Sequence, residues 1–396
     1  MSNETMNNFY SLLFTHCSLL IMKRKKGGGL GNQHIINGNR VTLLKNGREA
    51  FPAMLTAIDG AVSTINLETY ILRSDETGWK FGKILAKKAS EGIEVNLIYD
   101  SVGSMDCEEK FLQFLINHNV RLLEYNPIAP WKKGWKWIRR DHRKILAVDG
   151  RVGFTGGINI ADDYADPAEG GKGWWDTHIQ IEGPAVRELQ KLFLSTWKWE
   201  TGDRKYYPPL KEVGNTPVQI IGSRERKKRK AIKRAYIQAI KDAKGEIYLT
   251  NAYFVPDRGI LRTIANACKR GVEVVLILPM ISDVKVVQYA SRSLYTRLLS
   301  HGVKIYEREG QVLHSKTGTI DGIWSTIGSH NMDHRSYIYD LEVNAIIYGG
   351  EFGGEMKEMF LNDLQNCRRI DIEEWKKRPV IEKIIEKFCF RFRHWM

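Results

Sequence analysis

The sequence predicts an α/β protein made of two related halves, each containing a β-sheet that is largely parallel or mixed. Three observations lead to this prediction. The chain has 396 residues, which is long for one domain and ample for two. Hydrophobic residues make up 43% of the chain, so each half can bury a sizeable core. The same order of strand, helix and strand occurs twice.

The first copy of this order contains an apolar strand pattern, a helical pattern and a second apolar strand, at residues 64–71, 79–91 and 92–100. The second copy repeats the three patterns at residues 246–254, 258–269 and 271–278. In both copies the returning strand opens on glycine, then isoleucine or valine, glutamate and valine. Because strands that alternate with helices are typical of βαβ units, the pattern favours parallel or mixed pairing within each half.

Each half continues with a second predicted helix and a short predicted strand. These patterns cover residues 108–118 and 120–125 in the first half, and residues 286–301 and 303–307 in the second. Tyr-Tyr-Pro-Pro at residues 206–209 indicates the junction between the halves. We therefore expect an N-terminal segment with a glycine-rich linker at 1–40, a first domain at 41–213 and a second domain at 214–396.

After these elements, each half carries one copy of a His-x-Lys-x4-Asp motif, and the two copies are 172 residues apart. The six residues of the motif are His142, Lys144, Asp149, His314, Lys316 and Asp321. A glycine-containing tail follows each copy at the same offset, and its residues are Gly156, Gly157, Asn159, Gly328, Ser329 and Asn331. Two copies with identical spacing argue against a chance pattern on a strand.

The motif suits chemistry on a phosphodiester. Residues i and i+2 of a strand point to the same face, so each histidine would project together with the lysine of its own motif. One histidine can attack phosphorus and form a covalent phosphohistidine, while the other protonates the leaving alkoxide. Lysine and asparagine side chains can stabilise the non-bridging oxygens, and the small tail residues let backbone N–H groups approach the phosphate. No metal or other cofactor is required, because the lysines supply the positive charge.

The duplicated motif and its tails resemble those of the phospholipase D superfamily, from about residue 40 to residue 378. Trp-Trp-Asp-Thr-His at 174–178, Tyr-Phe-Val-Pro at 253–256 and Asn-Met-Asp-His-Arg-Ser at 331–336 are similar to the bacterial cardiolipin synthase branch. The resemblance implies two pseudo-symmetric α/β/α sandwich domains with one active site at their interface. It also implies a phosphatidyltransferase that works through phosphohistidine, in a short form without the paired N-terminal spanning helices of many relatives.

The resemblance further implies a carboxylate behind each histidine, and the matching residues are Asp176 and Glu342. A carboxylate on the far ring nitrogen orients an imidazole and stabilises its cationic form. The sequence leaves open which acid serves which histidine, and whether the two motif aspartates are catalytic or structural. By resemblance, His142 is the nucleophile. Two departures concern local geometry: His334 stands where the family usually has proline, and Tyr-Asp-Leu-Glu at 339–342 replaces the usual Asn-Phe/Leu-Glu.

The net charge of +14 favours a polyanionic partner, either nucleic acid or a membrane rich in anionic lipid. The tryptophan- and lysine-rich stretch at 130–140 is typical of a membrane interface, although a nucleic-acid groove can have a similar composition. A basic run at 224–234 and an aromatic and basic stretch at 387–395 are further candidates. We predict an anionic phospholipid membrane surface and phospholipid substrates as partners, rather than nucleic acid, and leave the oligomeric state open.

Residues 9–22 are apolar over 14 residues and are followed by four basic residues. This stretch is shorter than the roughly 20 residues that a spanning helix needs, so it favours an interfacial segment over a membrane anchor. The five cysteines include no CxxC pair, which indicates a reducing compartment. Together with the resemblance, these features predict a peripheral protein on the cytoplasmic face of a bacterial inner membrane.

Three functions are therefore considered. The first is a phosphatidyltransferase of the cardiolipin synthase type, which moves a phosphatidyl group from phosphatidylglycerol or a related phospholipid to another phospholipid hydroxyl. The second is a phosphodiesterase or nuclease of the same superfamily, with water as the acceptor. The third is a membrane-binding protein without catalysis, against which the two intact motifs argue.

Overall fold

The strands of both halves join into one mixed sheet of 15 strands. The computed structural model describes residues 34–129, 138–201, 211–223 and 230–394. In chain order the strands are β1 (Ile36–Lys45), β2 (Thr64–Thr69), β3 (Glu94–Asp100), β4 (Arg121–Tyr125), β5 (Ile145–Val148), β6 (Val152–Gly156), β7 (Thr177–Glu182), β8 (Thr216–Gly222), β9 (Glu246–Asn251), β10 (Glu273–Pro279), β11 (Lys304–Arg308), β12 (Lys316–Ile320), β13 (Trp324–Gly328), β14 (Val343–Tyr348) and β15 (Cys367–Arg369).

The two halves contribute strands in the same spatial order. From one edge the first half runs β4-β3-β2-β5-β6-β7-β1, and from the other edge the second half runs β11-β10-β9-β12-β13-β14-β8, with β15 added outside β11. In each half the first three strands of this order are parallel and the rest are antiparallel. The prediction of an α/β protein with two pseudo-symmetric halves is confirmed.

The helices of the described residues follow the strands in the alternation that the sequence predicts. They are α1 (Asn46–Asp59), α2 (Glu76–Ser90), α3 (Glu109–Asn117), α4 (Val186–Thr201), α5 (Ala231–Asp242), α6 (Arg258–Lys269), α7 (Lys285–Arg292), α8 (Tyr295–Ser300), α9 (His334–Ile338), α10 (Gly350–Leu364), α11 (Ile372–Lys377) and α12 (Val380–Arg391). The corresponding helices α2 and α6 both begin after an aspartate, Asp75 or Asp257, whose side chain accepts a backbone N–H at 3.0 Å.

One predicted helix is divided. The sequence predicts a single helix at 286–301, but the structure has α7 and α8, separated at Ser293 and Leu294. The hydroxyl of Ser293 donates to the carbonyl of Ala290 at 2.6 Å, which offers that carbonyl a partner other than the next turn of the helix. The apolar pattern continues through the break because Leu294 and Tyr295 are both buried in the core of the second half.

The halves are joined where β1 pairs with β8. The buried side chain of Asn39 strengthens this joint, because its amide donates to the carbonyl of Thr216 at 3.1 Å and accepts from the N–H of Ala185 at 2.8 Å. An apolar cluster shared by the halves, which includes Ile179 and Val343, packs beneath it. Strand β1 begins at Ile36, inside the segment 1–40 that the sequence assigned to the N-terminus. The predicted junction at 206–209 lies outside the described residues.

Candidate active site

Both motif histidines lie directly before corresponding strands. His142 precedes β5 by three residues and His314 precedes β12 by two. The main chain of each histidine is bound to the other half: His142 N–H donates to the carbonyl of Leu341 at 3.0 Å, and His314 N–H donates to that of Trp175 at 2.8 Å. These bonds belong to two short parallel bridges that run between the halves. Each histidine is therefore positioned by both halves together.

The carboxylates are exchanged between the halves. Nδ1 of His142, from the first half, lies 3.2 Å from Oε2 of Glu342 in the second. Nδ1 of His314, from the second half, lies 2.6 Å from Oδ2 of Asp176 in the first. Each histidine is therefore served by the carboxyl group of the other half, which the sequence had left open. Because Nδ1 faces a carboxyl group in both cases, Nε2 is the ring nitrogen left to react.

The two carboxyl groups are held differently. Glu342 accepts hydrogen bonds from the hydroxyls of Ser329 and Ser336, the latter at 2.7 Å. Asp176 accepts from the N–H of Thr177 at 2.7 Å, and its side chain fills the space beside Gly157, where an added Cβ would lie 2.1 Å from Oδ1. Glycine at 157, opposite serine at 329, is thus explained by the position of the Asp176 carboxylate.

The two lysines are almost completely buried beside the histidines. Nζ of Lys144 donates to the carbonyl of His142 at 2.7 Å, and Nζ of Lys316 donates to the carbonyl of His314. Burial and the charge of Lys316 lower the pKa of Lys144 to about 7, and burial lowers the pKa of Lys316 to about 8. Two buried lysines beside the histidines can stabilise the negative charge of a phosphate.

The histidines differ in their electrostatic surroundings. Burial, together with the charges of Lys144 and Lys316, lowers the pKa of His142 well below its ordinary value. Burial and Lys316 also lower the pKa of His314, but the negative charge of Asp176 opposes this shift. Burial raises the pKa of Glu342 well above its ordinary value, with a further contribution from Asp340. The environment therefore favours a neutral imidazole at His142 more strongly than at His314.

The two motif aspartates lie away from this cluster. Asp149 and Asp321 are in the left-handed conformation, both with φ of 52°, at the far ends of β5 and β12. Oδ1 of Asp149 accepts from the N–H groups of Ser63 and Thr64 at 2.8 and 2.9 Å. Asp321 accepts three corresponding backbone N–H groups at the start of β9. The oxygens of both aspartates hold strand ends together, so this geometry favours a structural role, and the catalytic role given to them by the motif stays a prediction.

The tails differ from the prediction in a similar way. The N–H groups of Gly157 and Ser329 donate to the carbonyls of Thr177 and Val343 at 3.0 and 2.9 Å, so they are not free to bind a phosphate. Gly156 and Gly328 are required by packing, since a Cβ would lie 2.4 and 2.3 Å from the same two carbonyl oxygens. These contacts favour a structural role for the tail residues, and their role in binding substrate stays a prediction.

The two tail asparagines also differ from each other. Asn159 donates to the hydroxyl of Tyr164 at 2.7 Å and accepts the N–H of Ile71 at 3.1 Å, so its amide is engaged. Oδ1 of Asn331, by contrast, is buried without a hydrogen-bond partner among the described residues. Asn331 thus differs from Asn159 in having a side-chain oxygen without a partner among the described residues.

Aromatic residues that the sequence did not single out complete the site. The ring of Tyr70 lies 4.9 Å from that of His142, and the ring of Tyr253 lies 6.3 Å from that of His314. The hydroxyl of Tyr253 donates to Asp283 at 2.5 Å. Asp283 is exposed, and its negative charge raises the pKa of Lys316 against the effect of burial. The Tyr-Phe-Val-Pro stretch was a signal for Tyr253, but nothing in the sequence connected Asp283 with it.

The amino-acid sequence matches a family model described as "Cardiolipin synthase, PLD-like domain" over residues 54–197 and 236–364. Cardiolipin synthase from Geobacillus thermodenitrificans is 38% identical over 363 residues, which are 90% of this chain and 72% of the relative. The chain belongs to the cardiolipin synthase family. Cardiolipin synthase from Halalkalibacterium halodurans is 36% identical over 370 residues, covering 91% of this chain and 73% of the relative.

Among solved structures, phosphatidylserine synthase from Haemophilus influenzae Rd KW20 has a similar fold. The TM-score is 0.66, with 14% sequence identity, over 92% of this chain and 95% of that one. This similarity concerns the fold alone.

Several predicted membrane contacts lie wholly or partly outside the described residues. Residues 9–22 do so entirely, as do 130–137 of the stretch at 130–140 and 224–229 of the basic run. Within residues 34–129, 138–201, 211–223 and 230–394, no helix combines the length and hydrophobicity that crossing a membrane requires.

Proposed function

We propose that this protein is a cardiolipin synthase that transfers a phosphatidyl group from phosphatidylglycerol to the hydroxyl of a second phospholipid. The observation that carries the proposal is the pair of reciprocal histidine–carboxyl contacts, His142 with Glu342 and His314 with Asp176, around two buried lysines. The name of the relatives, cardiolipin synthase, supports this choice of reaction within the superfamily.

In the first step, Nε2 of His142 attacks phosphorus and the bond from phosphorus to the glycerol headgroup oxygen breaks. His314, protonated at Nε2, gives its proton to the departing oxygen, so that glycerol leaves and a phosphatidyl–histidine intermediate remains. Lys144 and Lys316 stabilise the negative charge that grows on the non-bridging oxygens. The side chain of Asn331 is a further contact for those oxygens.

In the second step, the hydroxyl of another phosphatidylglycerol gives its proton to His314 while its oxygen attacks phosphorus. The bond from phosphorus to His142 breaks, which releases cardiolipin and restores both histidines to their starting protonation states. Water in place of the lipid hydroxyl would give phosphatidic acid by the same route. The product of this step therefore separates a transferase from a hydrolase.

The roles of the two histidines follow from their surroundings. A nucleophile must be neutral, and His142 is the histidine whose cationic form is opposed by burial and by both lysines. A general acid must hold a proton before it acts, and the charge of Asp176 supports the cationic form of His314. Asp176 and Glu342 orient the rings from behind as positioning residues.

Purified protein incubated with phosphatidylglycerol vesicles should produce cardiolipin and glycerol in equal amounts. Phosphatidic acid as the only lipid product would refute the transferase and favour the water-using alternative. His142→Ala and His314→Ala should each abolish product. Only His314→Ala should retain the ability to form labelled phosphatidyl–enzyme from a substrate with a good leaving group, since such a group departs without a proton. His118, half-buried in the first half at the end of α3, is the matched control.

We also propose peripheral attachment to an anionic membrane on the cytoplasmic face of a bacterial inner membrane. The net charge of +14 supports an anionic surface. The four described cysteines are free thiols, which supports a reducing compartment. Fractionation of cells that express the protein tests this proposal, because a salt or carbonate wash should release a peripheral protein from membranes.

A further inference from the structure

Helix α12 (Val380–Arg391) turns its most apolar side toward solvent. Ile381, Ile384 and Phe388 are 62, 56 and 62% exposed, and together with Ile385 and Phe392 they form one stripe at helical spacing. The residues that this helix buries are less apolar. Glu386 is buried in a bond with Arg378 at 3.2 Å, and Cys389 is buried against α7. Isolated exposed apolar residues are common, but a continuous stripe on one helix marks an interaction surface.

Basic residues border this stripe. Lys387 and Arg391 are exposed and lie one helical turn apart along one edge of it. Between residues 376 and 394 the chain carries seven lysines and arginines against two glutamates, one of which is the buried Glu386. An exposed apolar stripe bordered by lysine and arginine complements a bilayer with anionic headgroups, where side chains enter the acyl boundary and cations meet phosphates.

The same surface continues toward the active site. Helix α12 rests on α7 through Cys389 and Val287, in a small cluster that also contains Tyr253. The segment that leads into α7 and the first turn of that helix expose three more apolar side chains, which are Ile281, Val284 and Val286. Asp283 lies among them and accepts the hydroxyl of Tyr253 at 2.5 Å, beside Lys316. The apolar surface thus adjoins the side of the active site where Asp283 is exposed to solvent.

The residues that follow α12 also contact α9 of the second half. The ring of His394 lies 4.8 Å from that of His334, the first residue of α9. Ser336, in the same short helix, holds the carboxyl group of Glu342 at 2.7 Å. A ligand held on α12 would therefore lie against elements that bear directly on the catalytic histidines.

We propose that the outward face of α12, with the exposed apolar residues around the start of α7, is a docking surface for an anionic lipid bilayer and presents the active site to the headgroup layer. An anionic bilayer fits this surface because the stripe is bordered by lysine and arginine and adjoins the active site. It deepens the proposed function, although docking can be measured without any turnover.

The test is sedimentation of the full chain with vesicles of phosphatidylglycerol or of phosphatidylcholine. The triple variant Ile381→Gln, Ile384→Gln and Phe388→Gln should bind phosphatidylglycerol vesicles at least about tenfold more weakly than the unchanged protein. The matched control is Val62→Gln, Ile116→Gln and Ile323→Gln, three exposed aliphatic residues away from α12, which should leave binding unchanged. Lys387→Gln with Arg391→Gln should weaken binding to phosphatidylglycerol and leave the weaker binding to phosphatidylcholine unchanged.

Undiminished vesicle binding by the α12 triple variant would overturn the proposal. So would a change from dimer to monomer on gel filtration without loss of vesicle binding, because the stripe would then be a contact between two copies. Repeating the sedimentation with His142→Ala separates this proposal from the enzymatic one. That inactive variant should bind vesicles as the unchanged protein does. If the unchanged protein makes no cardiolipin but binds vesicles through α12, the proposed function is refuted and the docking surface stands.

Discussion

Lys144 is a buried lysine that the active site keeps away from water, so its replacement by methionine should stabilise the fold while removing activity. Burial and the charge of Lys316 lower the pKa of Lys144 from 10.5 to about 7. Because the folded state binds this proton less tightly than the unfolded state, the lysine destabilises the fold once the pH is below 10.5, and fully below about 7. At about 1.36 kcal/mol per unit, the whole effect is about 5 kcal/mol.

The pH dependence makes this prediction specific. Linkage leaves about 4 kcal/mol of the destabilisation at pH 7 and about 2 kcal/mol at pH 9, where the folded state already holds the neutral amine. Lys144→Met should therefore raise the free energy of unfolding by about 2 kcal/mol more at pH 7 than at pH 9. The lost bond to the carbonyl of His142 and any change in packing act equally at both pH values and cancel in this difference.

The measurement is denaturant unfolding of both proteins at the two pH values. Lys83→Met is the matched control, because Lys83 is exposed on α2 and its replacement should have the same effect at both pH values. A Lys144→Met variant whose difference from the unchanged protein does not vary with pH would refute the reasoning. Such a result would mean that the ammonium is fully compensated in the folded state.

Asp176→Asn should lower kcat by about a hundredfold or more with little change in KM, because the amide no longer supports the cationic form of His314; a changed KM at constant kcat would contradict this role. In a pH profile, kcat/KM should fall as the pH rises past about 7 to 8, since the lysines lose their charge above their folded pKa values, and Lys144→Arg should shift this fall to higher pH. Asp149→Ala should lower the free energy of unfolding by about 2–4 kcal/mol through its lost backbone contacts and leave kcat close to its original value. Gly157→Ser should reduce kcat, because the added Cβ would lie only 2.1 Å from Oδ1 of Asp176 and would displace that carboxylate. Full activity would show that the carboxylate can move without consequence.

Much of the fold could be predicted because its signals are local. The strands and helices that the sequence predicted in both halves lie within a few residues of their apolar patterns. The equal spacing of the two motifs reflects the equivalent positions of β5 and β12. The division between α7 and α8 was missed because Leu294 and Tyr295 continue the apolar pattern through the break. Sequence patterns also could not predict that both halves share one sheet, because the pairing of β1 with β8 joins residues far apart in the chain.

The site residues also fall into those that local motifs could predict and those that only the fold brings together. The histidines, the lysines and the two carboxylates could be named from motifs and resemblance, because their residue types follow from the chemistry. Spacing alone left the role of the motif aspartates open, since a strand pattern does not reveal that Asp149 accepts hydrogen bonds from the start of β2. Asp283 was missed because its contact with Tyr253 and its effect on Lys316 join residues that are about 30 positions apart in the chain.

The sequence by itself determined that two equivalent strand ends each present a histidine and a lysine, because a residue's type and its place on a strand are properties of the local chain. Only the tertiary structure decided that Glu342 serves His142 and Asp176 serves His314, since each contact joins residues more than 130 positions apart. The same folding determines the charge balance. Burial, which no local pattern measures, lowers the pKa values of both lysines, and the charges gathered around the two histidines make the histidines unequal.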